Sequence, residues 1–398
     1  MAQVSPAAAT VPPRGERSSC TGGRRRRVPS AAWHLASQQL AAKLQPFAMM
    51  KLCLLALPLG GAADLPATMR AAALTKRPWD LKVHIEDFAE VQARTPPSPK
   101  RGEVLVKVAG ASVNPCEWKE IESPRVLSWS YPHVGGIDFA GTVLAVGHGV
   151  TRWKAGDNVW GMSGSEGAHA EYMVTDQQLV ALAPTQIPLE EAAVLPLVSL
   201  TNLMGFRVAQ GLWPLEGKVV VVLGGSGGTG HNAIQLAKAW GASKVVATCG
   251  TSNVEFCREM GADVVVDYRK ANWTDVLGAG SVDFVYDTVS ADRTGNLAYS
   301  VLRDGGCYVC LLGGCLAEDS VARERPSITQ KSIFLGSAGY GSQDLDVVKG
   351  LVDSGKMRPH IQKVFTLSEV GQLFSTIMAG HSVGKNSMVP TGSSSAFV

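Results

Sequence analysis

The residues best spaced for chemistry in this 398-residue chain form a glycine cluster that follows a short apolar run. Gly225, Gly227 and Gly230 fit the pattern G-x-G-x-x-G. In this pattern the first glycine permits a sharp turn, the second lets the backbone approach a pyrophosphate, and the third lets a helix pack closely on a strand. N–H groups at the start of that helix would bind the phosphate. The residues predicted to line this site are Gly225, Ser226, Gly227, Gly228, Thr229 and Gly230.

The neighbouring elements decide how the glycine pattern is interpreted. One such pattern is weak in a chain with 43 glycines, because a glycine-rich loop often does nothing but turn. Here the apolar run 219–223 predicts a buried strand before the turn, and 232–240 has helical periodicity after it. Strand-like runs follow at 244–249, 263–267 and 281–289, spaced as successive β-α units. The pattern therefore predicts a doubly wound parallel sheet that binds a dinucleotide.

The first half of the chain has a different pattern, with short strand-like runs bounded by Gly, Pro or Asp. It predicts a partly antiparallel barrel or sandwich ahead of the nucleotide domain. Helical spacing over 188–209 would bridge the two parts, and two further helices are predicted within 345–359 and 365–380. The chain is expected to return to its first domain after them. The predicted domains are 67–192 with 359–390, and 193–358, between a leader (1–66) and a disordered tail (391–398).

The basic charge of the chain is concentrated in its leader. Residues 1–63 hold eight Lys or Arg against one acid, a charge of +7, so the remaining residues carry −4 of the overall +3. A body of that charge gives no electrostatic reason to expect nucleic-acid binding. A leader rich in Ala, Ser, Pro and Arg is typical of an organelle transit peptide, for a plastid rather than a mitochondrion. A short secretory signal after Met50, a disordered tail and an unused upstream start remain open alternatives.

The eight cysteines are scattered, and several fall in predicted buried strands or helices. This placement predicts reduced, buried thiols rather than a disulfide framework. Cys307 and Cys310 form C-x-x-C, but no second such pair and no nearby pair of histidines accompanies them. We therefore expect no metal or redox role for them.

Several motifs in fixed order carry a family resemblance. SVNPCEWK (112–119), GGIDFAGTVLAVGHGVTRWKAGDNVWG (135–161), the glycine turn, ATCGTSNVEFCREMGADVVVDY (247–268) and the closing GHSVGK resemble the zinc-free quinone oxidoreductase branch of the medium-chain dehydrogenase/reductase superfamily. Within this branch the chain resembles the chloroplast envelope quinone oxidoreductase homologues and the oxoene reductases. The resemblance implies an α/β architecture in which a Rossmann doubly wound parallel sheet is inserted in a β-rich, GroES-like barrel domain.

The same comparison argues against a catalytic metal. Asn114 and Ile137 match the positions where zinc-dependent members have a cysteine and a histidine, and neither can supply those ligands. No cysteine lies between Cys116 and Cys249, so the four-cysteine structural zinc lobe is missing too. We therefore predict no metal.

The predicted cofactor is NADPH. NAD specificity normally requires an acid at the end of the second strand, about 20 residues after the glycine pattern. This strand ends ATCGTSN, and Thr248, Thr251 and Ser252 leave hydroxyl groups for a 2′-phosphate. The resemblance implies that Tyr268 helps to hold this phosphate. Because no Arg or Lys lies at 252–254, Lys385 is the predicted source of positive charge.

Without a metal or a flavin motif, the expected reaction is direct hydride transfer to a polarised acceptor, either a quinone or an α,β-unsaturated carbonyl. The resemblance implies that Asn114 and Thr201 orient the nicotinamide or the substrate. Lys119 is predicted to contact a phosphate or a carbonyl, and no proton donor can be identified. Aromatic residues that could line an apolar substrate pocket are Trp118, Trp129 and Tyr131.

Other residues could bear chemistry, and other functions compete with this interpretation. His133, His148 and His169 are expected in turns or satisfied hydrogen bonds, and Asp138 is expected to be a structural acceptor. No tyrosine is followed by lysine at the Y-x-x-x-K spacing of short-chain reductases. A zinc-free alcohol or aldehyde dehydrogenase and a non-catalytic nucleotide-binding scaffold remain as alternatives. The expected partner is a small-molecule electrophile or quinone, with a homodimer and a peripheral membrane association left open.

Overall fold

The computed structural model describes residues 65–163, 167–209, 211–311, 313–334 and 341–390. The predicted leader, apart from its last two residues, and the predicted tail over 391–398 lie outside these described residues. Cys20 and Cys53 also lie outside them.

The described residues form two groups of strands with helices between and after them. The strands are β1 (Met69–Leu74), β2 (Phe88–Arg94), β3 (Glu103–Ser112), β4 (His133–Val134), β5 (Asp138–Val146), β6 (Asn158–Met162), β7 (Tyr172–Asp176), β8 (Val180–Leu182), β9 (Val219–Leu223), β10 (Lys244–Cys249), β11 (Val264–Asp267), β12 (Val282–Asp287), β13 (Leu302–Leu311), β14 (Thr329–Ile333), β15 (Ile361–Thr366) and β16 (Lys385–Val389). The α-helices are α1 (Pro115–Ile121), α2 (Leu189–Ala192), α3 (Pro196–Arg207), α4 (Gly228–Ala239), α5 (Val254–Glu259), α6 (Trp273–Val276), α7 (Thr294–Val301), α8 (Asp319–Glu324), α9 (Ser342–Asp353) and α10 (Val370–Met378).

Strands β9 to β14 form a parallel sheet in the order β11-β10-β9-β12-β13-β14. Four of the five residues of β9 are buried, because side chains on both faces of the sheet are covered. The order of strands reverses between β9 and β12, which is the topological switch point of a doubly wound sheet. Ligands bind such sheets in the crevice at the carboxyl ends of the strands beside this point. The glycine turn leaves β9 at this place.

The remaining strands are mostly antiparallel and build the β-rich part of the molecule. One sheet has the order β15-β16-β3-β5-β6-β8, with β7 also paired to β3, and a smaller one has the order β2-β1-β4. Strand β16 pairs with β3 at Ser387 and Ser112, so the end of the chain completes a sheet begun near its start. The predicted return of the chain is visible in this pairing, whereas the predicted domain limits stay a prediction.

Three predicted helices differ from the structure. Helix α4 begins at Gly228, inside the glycine cluster, rather than at Asn232. The helix expected over 188–209 is two helices, and the second begins at Pro196, a residue that suits the first helical position because it has no N–H to donate. The stretch expected as helix from Phe365 begins as the end of β15 and becomes α10 only at Val370.

The expectation of reduced thiols is wrong for one pair of cysteines. Cys310 forms a disulfide with Cys315, whereas Cys116, Cys249, Cys257 and Cys307 are free. Cys307 and Cys310 are both on β13, but they belong to core clusters on opposite faces of the sheet. Side chains three apart in a strand point to opposite faces, so the two residues of the C-x-x-C motif cannot pair with each other.

No helix within the described residues is long and apolar enough to cross a membrane.

Candidate active site

The glycine turn is held against the neighbouring strand β10 by hydrogen bonds from two of its backbone N–H groups. Gly224 follows β9 with a φ of +79°, a conformation that favours glycine. Its N–H donates to the Thr248 hydroxyl at 3.1 Å, and the N–H of Gly225 donates to the Thr248 carbonyl at 2.8 Å. Thr248, predicted to contact the cofactor, is 5% exposed and supports the turn from behind.

The glycines of the turn are required for different reasons. A Cβ added to Gly230 would lie 2.1 Å from the Gly224 carbonyl oxygen, and one added to Gly225 would lie 2.8 Å from the Cβ of Ala247. These two positions must be glycine because the chain packs against itself. A Cβ added to Gly227 would meet only the Gly224 oxygen, at an ordinary 3.5 Å. Packing within the protein therefore does not require glycine at position 227, and a clear approach to the backbone at the start of α4 is what a dinucleotide pyrophosphate would need.

Residues that follow β10 and β11 come together at the far side of the turn. Thr251, Ser252 and Tyr268 are all exposed there. A Cβ added to Gly250 would lie 3.5 Å from the Tyr268 hydroxyl and 3.7 Å from Nε of Arg269. The pairing of Cys249 on β10 with Asp267 on β11 brings these two strand ends side by side.

Arg269 is a cation at this place that the sequence prediction missed. It is exposed, and its guanidinium forms no ion pair with any carboxylate in the described part of the chain. Its neighbour Lys270 is instead paired with Asp267 at 3.3 Å. The signal that could have found Arg269 is its position two residues after a predicted strand, since the carboxyl ends of adjacent parallel strands share one edge.

A second missed residue connects this cluster to the glycine turn. Asn253, in the short 3₁₀ helix Thr251–Asn253, donates from Nδ2 to the Ser226 hydroxyl at 3.3 Å. The Ser226 carbonyl in turn accepts from the N–H of Gly384 at 2.8 Å. The turn is thus fixed from both sides, by the loop after β10 and by the segment that precedes β16.

Lys385, the predicted source of positive charge for the 2′-phosphate, lies among buried oxygen atoms. Its ammonium is buried and donates to the Asn114 side-chain oxygen at 2.5 Å and to the Val113 carbonyl at 3.2 Å. Nζ also lies 3.5 Å from Oδ2 of Asp138. Its aliphatic stem runs past Gly228, where an added Cβ would lie 2.8 Å from Cδ of the lysine. These contacts direct the ammonium toward Asn114, Val113 and Asp138, and they give no support to the predicted role of Lys385 beside Tyr268.

Asp138 is fully buried and joins four elements. Its Oδ2 accepts from the Ser112 hydroxyl at 2.6 Å and from Nδ2 of Asn114 at 2.9 Å. Its Oδ1 accepts from the backbone N–H of Leu197 at 2.7 Å. The structural role expected of Asp138 is confirmed by this backbone bond, and together with Lys385 the carboxylate ties β3, α1, α3 and β16 to one point.

Asn114 precedes α1 and is 1% exposed. Its Oδ1 accepts from Lys385, and its Nδ2 donates to Asp138 and, at 3.3 Å, to Glu117. Every polar atom of the Asn114 side chain therefore has a partner inside the protein. These contacts make Asn114 a residue that positions its neighbours, and its predicted contact with the nicotinamide stays a prediction.

Thr201 lies on α3 and donates to the Leu197 carbonyl at 2.8 Å, one turn earlier in the helix. The next residue, Asn202, donates to the Thr229 carbonyl at 3.0 Å and to Oδ1 of Asn232 at 2.8 Å. Asn202 therefore holds α3 against the start of α4. Because Thr201 precedes Asn202 on α3, these two hydrogen bonds place Thr201, the predicted nicotinamide contact, near the glycine turn.

A pocket with polar and apolar walls opens in the β-rich part. Its apolar wall includes Phe88, Trp129 and Phe374, and its polar wall includes Glu117 and His169. Of the three aromatic residues predicted to line a pocket, Trp129 does so, whereas Trp118 and Tyr131 pack against the adjoining core. The pocket lies directly behind Asn114, because Glu117 contacts both.

Burial shifts the pKa values of the two ionisable residues in this polar wall. Desolvation and the nearby charge of Asp138 raise the pKa of Glu117 to about 8. Desolvation lowers the pKa of His169 to about 4, so its ring is neutral at pH 7. Nε2 of His169 lies 3.1 Å from the Ser112 carbonyl, so this nitrogen carries the ring proton. This is the satisfied hydrogen bond expected for His169.

Lys119 does not reach the candidate site. It is exposed on α1, with Nζ 5.5 Å from the centroid of the Trp118 ring. No contact with the glycine turn is found for it among the described residues. The predicted contact of Lys119 with a phosphate or carbonyl is unsupported by this position.

Possible ligands for a metal are not grouped anywhere in the described residues: no three His, Cys, Asp or Glu are placed to hold one ion. Asn114 and Ile137 occupy the positions where zinc-dependent members have a cysteine and a histidine ligand. The Asn114 side chain is fully hydrogen-bonded, and Ile137 has an aliphatic side chain.

Two family models match this chain. One, described as "Alcohol dehydrogenase GroES-like domain", matches residues 100–185, and the other, described as "Zinc-binding dehydrogenase", matches residues 228–353. The first matches within the β-rich part and the second begins at α4 and covers most of the parallel sheet.

Individual proteins are similar over most of the described chain. The 2-methylene-furan-3-one reductase of Solanum lycopersicum is 34% identical over 73% of this chain and 72% of its own length. The chloroplastic NADPH-dependent alkenal/one oxidoreductase of Arabidopsis thaliana is 33% identical over 74% of each chain. Among solved structures, the quinone oxidoreductase from Coxiella burnetii superposes with a TM-score of 0.71 at 25% identity, over 81% of this chain and 100% of that one.

Proposed function

Because the chain belongs to the medium-chain dehydrogenase/reductase superfamily, we propose that it is an NADPH-dependent reductase of quinones or α,β-unsaturated carbonyls that acts without a metal. Its cofactor is a nicotinamide nucleotide, as in the rest of the family. The observation that carries the proposal is the clear space beside Gly227 at the start of α4, where the sheet reverses its strand order.

The described residues fit such a nucleotide along one path. The pyrophosphate would lie beside Gly227 at the start of α4, where the helix dipole favours negative charge. The ribose end would lie toward Gly250, beside Tyr268 and Arg269. When bound, the nicotinamide supplies a hydride to an acceptor carbon.

The choice of NADPH over NADH is supported by the charge at this ribose end. No acid follows β10 to accept from a ribose 2′-hydroxyl, and Ser252 is exposed there. The Arg269 guanidinium and the Tyr268 hydroxyl both approach Gly250, and a guanidinium is well suited to a phosphate. One relative is itself named as NADPH-dependent.

Zinc independence is supported by the chemistry of the residues at the expected ligand positions. A catalytic zinc needs three protein ligands drawn from thiolate, imidazole and carboxylate groups. Ile137 has none of these, and the amide of Asn114 is already bonded to Lys385 and Asp138. The buried ammonium of Lys385 also neutralises Asp138, the nearest carboxylate.

A C=C bond conjugated to a carbonyl is a suitable hydride acceptor for an enzyme without a metal. Hydride adds to the β-carbon, and the negative charge that develops is spread onto an oxygen that hydrogen bonds can stabilise. The names of the similar proteins point to the same class of substrate: one reduces a methylene-furanone, one an alkenal or alkenone, and one a quinone.

The experiment that tests the proposal is a panel assay of NADPH oxidation, followed by absorbance, with quinones, short enals and long oxylipin enones. We expect turnover with at least one class, and faster with NADPH than with NADH. Binding of NADPH without its oxidation by any of these acceptors would favour the non-catalytic scaffold. Oxidation of alcohols alone would favour the zinc-free alcohol dehydrogenase.

We further propose that residues 1–66 direct the protein to an organelle, and to a plastid in particular. The proposal is supported by the basic, acid-poor composition of this segment and by a similar protein named as chloroplastic. Mass spectrometry of the mature protein tests it. A new amino terminus near residue 66 is expected, and a protein that still begins at Met1 would overturn the proposal. The homodimer and the peripheral membrane association stay predictions.

A further inference from the structure

We propose that Asn253 orients the hydroxyl groups of Ser226 and Ser252 toward the 2′-phosphate of NADPH, and that it thereby strengthens the preference for NADPH over NADH. The inference rests on the proposed function, which supplies the cofactor and the path along which it lies. Asn253 is a positioning residue in this account, because it acts through the two serines and not through a contact of its own with the cofactor.

Asn253 joins the glycine turn to the ribose end of the path. It closes the 3₁₀ helix Thr251–Asn253 that follows β10, where its N–H donates to the Gly250 carbonyl at 2.9 Å. Its Nδ2 lies 3.3 Å from Oγ of Ser226, which belongs to the glycine turn. The contact therefore connects the place assigned to the pyrophosphate with the strand end assigned to the ribose.

The direction of this hydrogen bond leaves the Ser226 hydrogen free to bind a ligand. An amide nitrogen can donate but cannot accept. The Ser226 oxygen therefore accepts from Asn253, and the hydrogen of this hydroxyl group is left for another acceptor. Ser226 is partly exposed, and its carbonyl is fixed by the N–H of Gly384 at 2.8 Å. Its hydroxyl is thus a donor of defined position at the edge of the turn.

Ser252 supplies a second hydroxyl on the other side of the same amide. It is exposed, and its hydroxyl donates to Oδ1 of Asn253 at 3.3 Å. Thr251 is committed elsewhere, since its hydroxyl donates to Asp267 and holds the pKa of that carboxyl below its usual range. A phosphate oxygen can replace Oδ1 as the acceptor from Ser252 through rotation about one C–O bond. Ser252 is therefore the hydroxyl of this 3₁₀ helix that a phosphate can use.

The neutral amide matters because a carboxylate in its place would favour the other cofactor. A carboxylate would accept from both serine hydroxyl groups and leave neither hydrogen for a phosphate. It would also put a negative charge beside the 2′-phosphate, and it could accept from the ribose 2′-hydroxyl of NADH. Asn253 avoids both effects, while Arg269, which approaches Gly250, provides the positive charge.

The test measures the Kd of the full-length protein for NADPH and for NADH by fluorescence titration, so it does not depend on the acceptor. In Asn253→Ala we expect the Kd for NADPH to rise by about five- to tenfold. The Kd for NADH should change by less than about twofold. In Asn253→Asp, which keeps the shape of the side chain, the Kd for NADPH should rise by about 100-fold, and the protein should then prefer NADH.

A second set of variants tests whether Asn253 acts through the serines. Ser226→Ala and Ser252→Ala should each weaken NADPH more than NADH. When both serines are already alanine, adding Asn253→Ala should change the Kd for NADPH by less than about twofold, because the groups that it orients are gone. This loss of effect distinguishes a positioning residue from one that binds the phosphate itself.

Asn272→Asp is the matched control for the change of charge. Asn272 is an exposed asparagine a few residues after Tyr268, and its Nδ2 donates to Asp275 at 3.3 Å. This variant should keep the ratio of the two Kd values found for the wild type. A ratio that shifts as far in Asn272→Asp as in Asn253→Asp would show that negative charge anywhere in this region is enough, and it would overturn the inference.

Two further results would overturn the inference while leaving the proposed function intact. One is an equal loss of NADPH and NADH binding in Asn253→Ala with a lower melting temperature, which is the result expected of a purely structural residue. The other is an effect of Asn253→Ala that persists in full when both serines are alanine. If Asn253→Asp does not fold, the alanine variants decide the question. A wild-type protein that binds neither nucleotide, or both equally, would instead refute the proposed function.

Discussion

At the scale of single residues, Gly227 and Gly230 separate the two reasons for which a turn needs glycine. Gly227→Ala should leave the fold intact, because its φ of −76° suits alanine and the new Cβ has 3.5 Å to its nearest neighbour. We expect its melting temperature to stay within about 2 °C of the wild type while the Kd for NADPH rises by about tenfold or more. Thermal unfolding and a fluorescence titration with NADPH measure the two effects.

Gly230→Ala is the control, since its Cβ would lie 2.1 Å from the Gly224 oxygen. This variant should unfold at a clearly lower temperature. An NADPH Kd for Gly227→Ala equal to that of the wild type would show that the clear space is not where the pyrophosphate binds.

Arg269 carries the prediction for cofactor choice. Hydrogen bonds to charged groups contribute about 1.5–3 kcal/mol, so Arg269→Ala should lower kcat/KM for NADPH by about 10- to 100-fold. The value for NADH should hardly change, because NADH has no 2′-phosphate. Steady-state kinetics with both cofactors measures the ratio.

Arg258→Ala is the matched control, because Arg258 is an exposed arginine nearby in sequence that is already paired with Glu255 at 3.0 Å. Equal losses with NADPH and NADH in Arg269→Ala would contradict the assignment.

The sequence predicts the role of a single residue well when that role depends only on neighbours in the sequence. The glycine pattern was readable because its residues act through spacing within one turn. Arg269 could not be found in the same way, since its approach to Gly250 depends on the pairing of β10 with β11. The buried surroundings of Lys385 could not be predicted either, because the direction of its side chain depends on the pairing of β16 with β3, which joins positions more than 270 residues apart.

At the scale of elements, the pair formed by Asp138 and Lys385 holds the candidate site together. Lys385→Met would leave a buried carboxylate without its cation. Breaking such a pair typically costs about 3–5 kcal/mol of the free energy of unfolding. Chemical denaturation should show a loss of this size, and the double variant with Asp138→Asn should recover part of it.

Lys107→Met serves as the control in the same sheet, because Lys107 is exposed on β3. It should change the free energy of unfolding by less than about 0.5 kcal/mol. A Lys385→Met variant as stable as this control would mean that the buried pair does not join the elements.

The sequence predicted the elements of the parallel sheet closely, because buried strands are continuous apolar runs whose limits are visible. The runs predicted at 219–223 and 244–249 coincide with β9 and β10. Helix limits were less accurate. The start of α4 at Gly228 was hidden because glycine is a poor helix former, and only the bonded turn before it makes the helix begin there.

At the scale of the whole molecule, buried histidines predict how stability depends on pH. Burial lowers the pKa of His169 and His231 to about 4, whereas an unfolded histidine titrates near 6.5. As the pH falls below 6.5 the unfolded chain binds two protons that the folded chain does not, so the folded state loses stability. Glu117, with its pKa raised to about 8, has the opposite effect. Between pH 8 and pH 4.5 the folded chain keeps a proton on this carboxyl that the unfolded chain has released, which offsets about one of the two histidine protons.

We therefore expect the free energy of unfolding to fall between pH 6.5 and pH 5. In His231→Gln the loss of free energy of unfolding over this pH range should be about 2 kcal/mol smaller than in the wild type, since each proton contributes about 1.4 kcal/mol per pH unit. His148→Gln, at an exposed histidine, is the control. Denaturation curves at the two pH values measure the difference, and an unchanged pH dependence in His231→Gln would refute it.

For the molecule as a whole, the sequence predicted the order in which the chain visits its two parts, but it did not predict the disulfide. A return of the chain to its first part could be expected from motif order, and the structure joins the two ends again where Arg70 bonds both Glu171 and the Pro390 carbonyl. The Cys310–Cys315 disulfide could not be expected, because Cys315 lies beyond the strand and approaches Cys310 only through the loop that follows.

In the proposed reaction, hydride passes from NADPH to the β-carbon of an enone. The most direct measurement is mass spectrometry and NMR of the product formed with NADPH that carries deuterium at the transferred position of the nicotinamide. We predict one deuterium per product molecule at the β-carbon of a saturated ketone. Deuterium at the carbonyl carbon of an allylic alcohol, or no transfer despite bound NADPH, would contradict it.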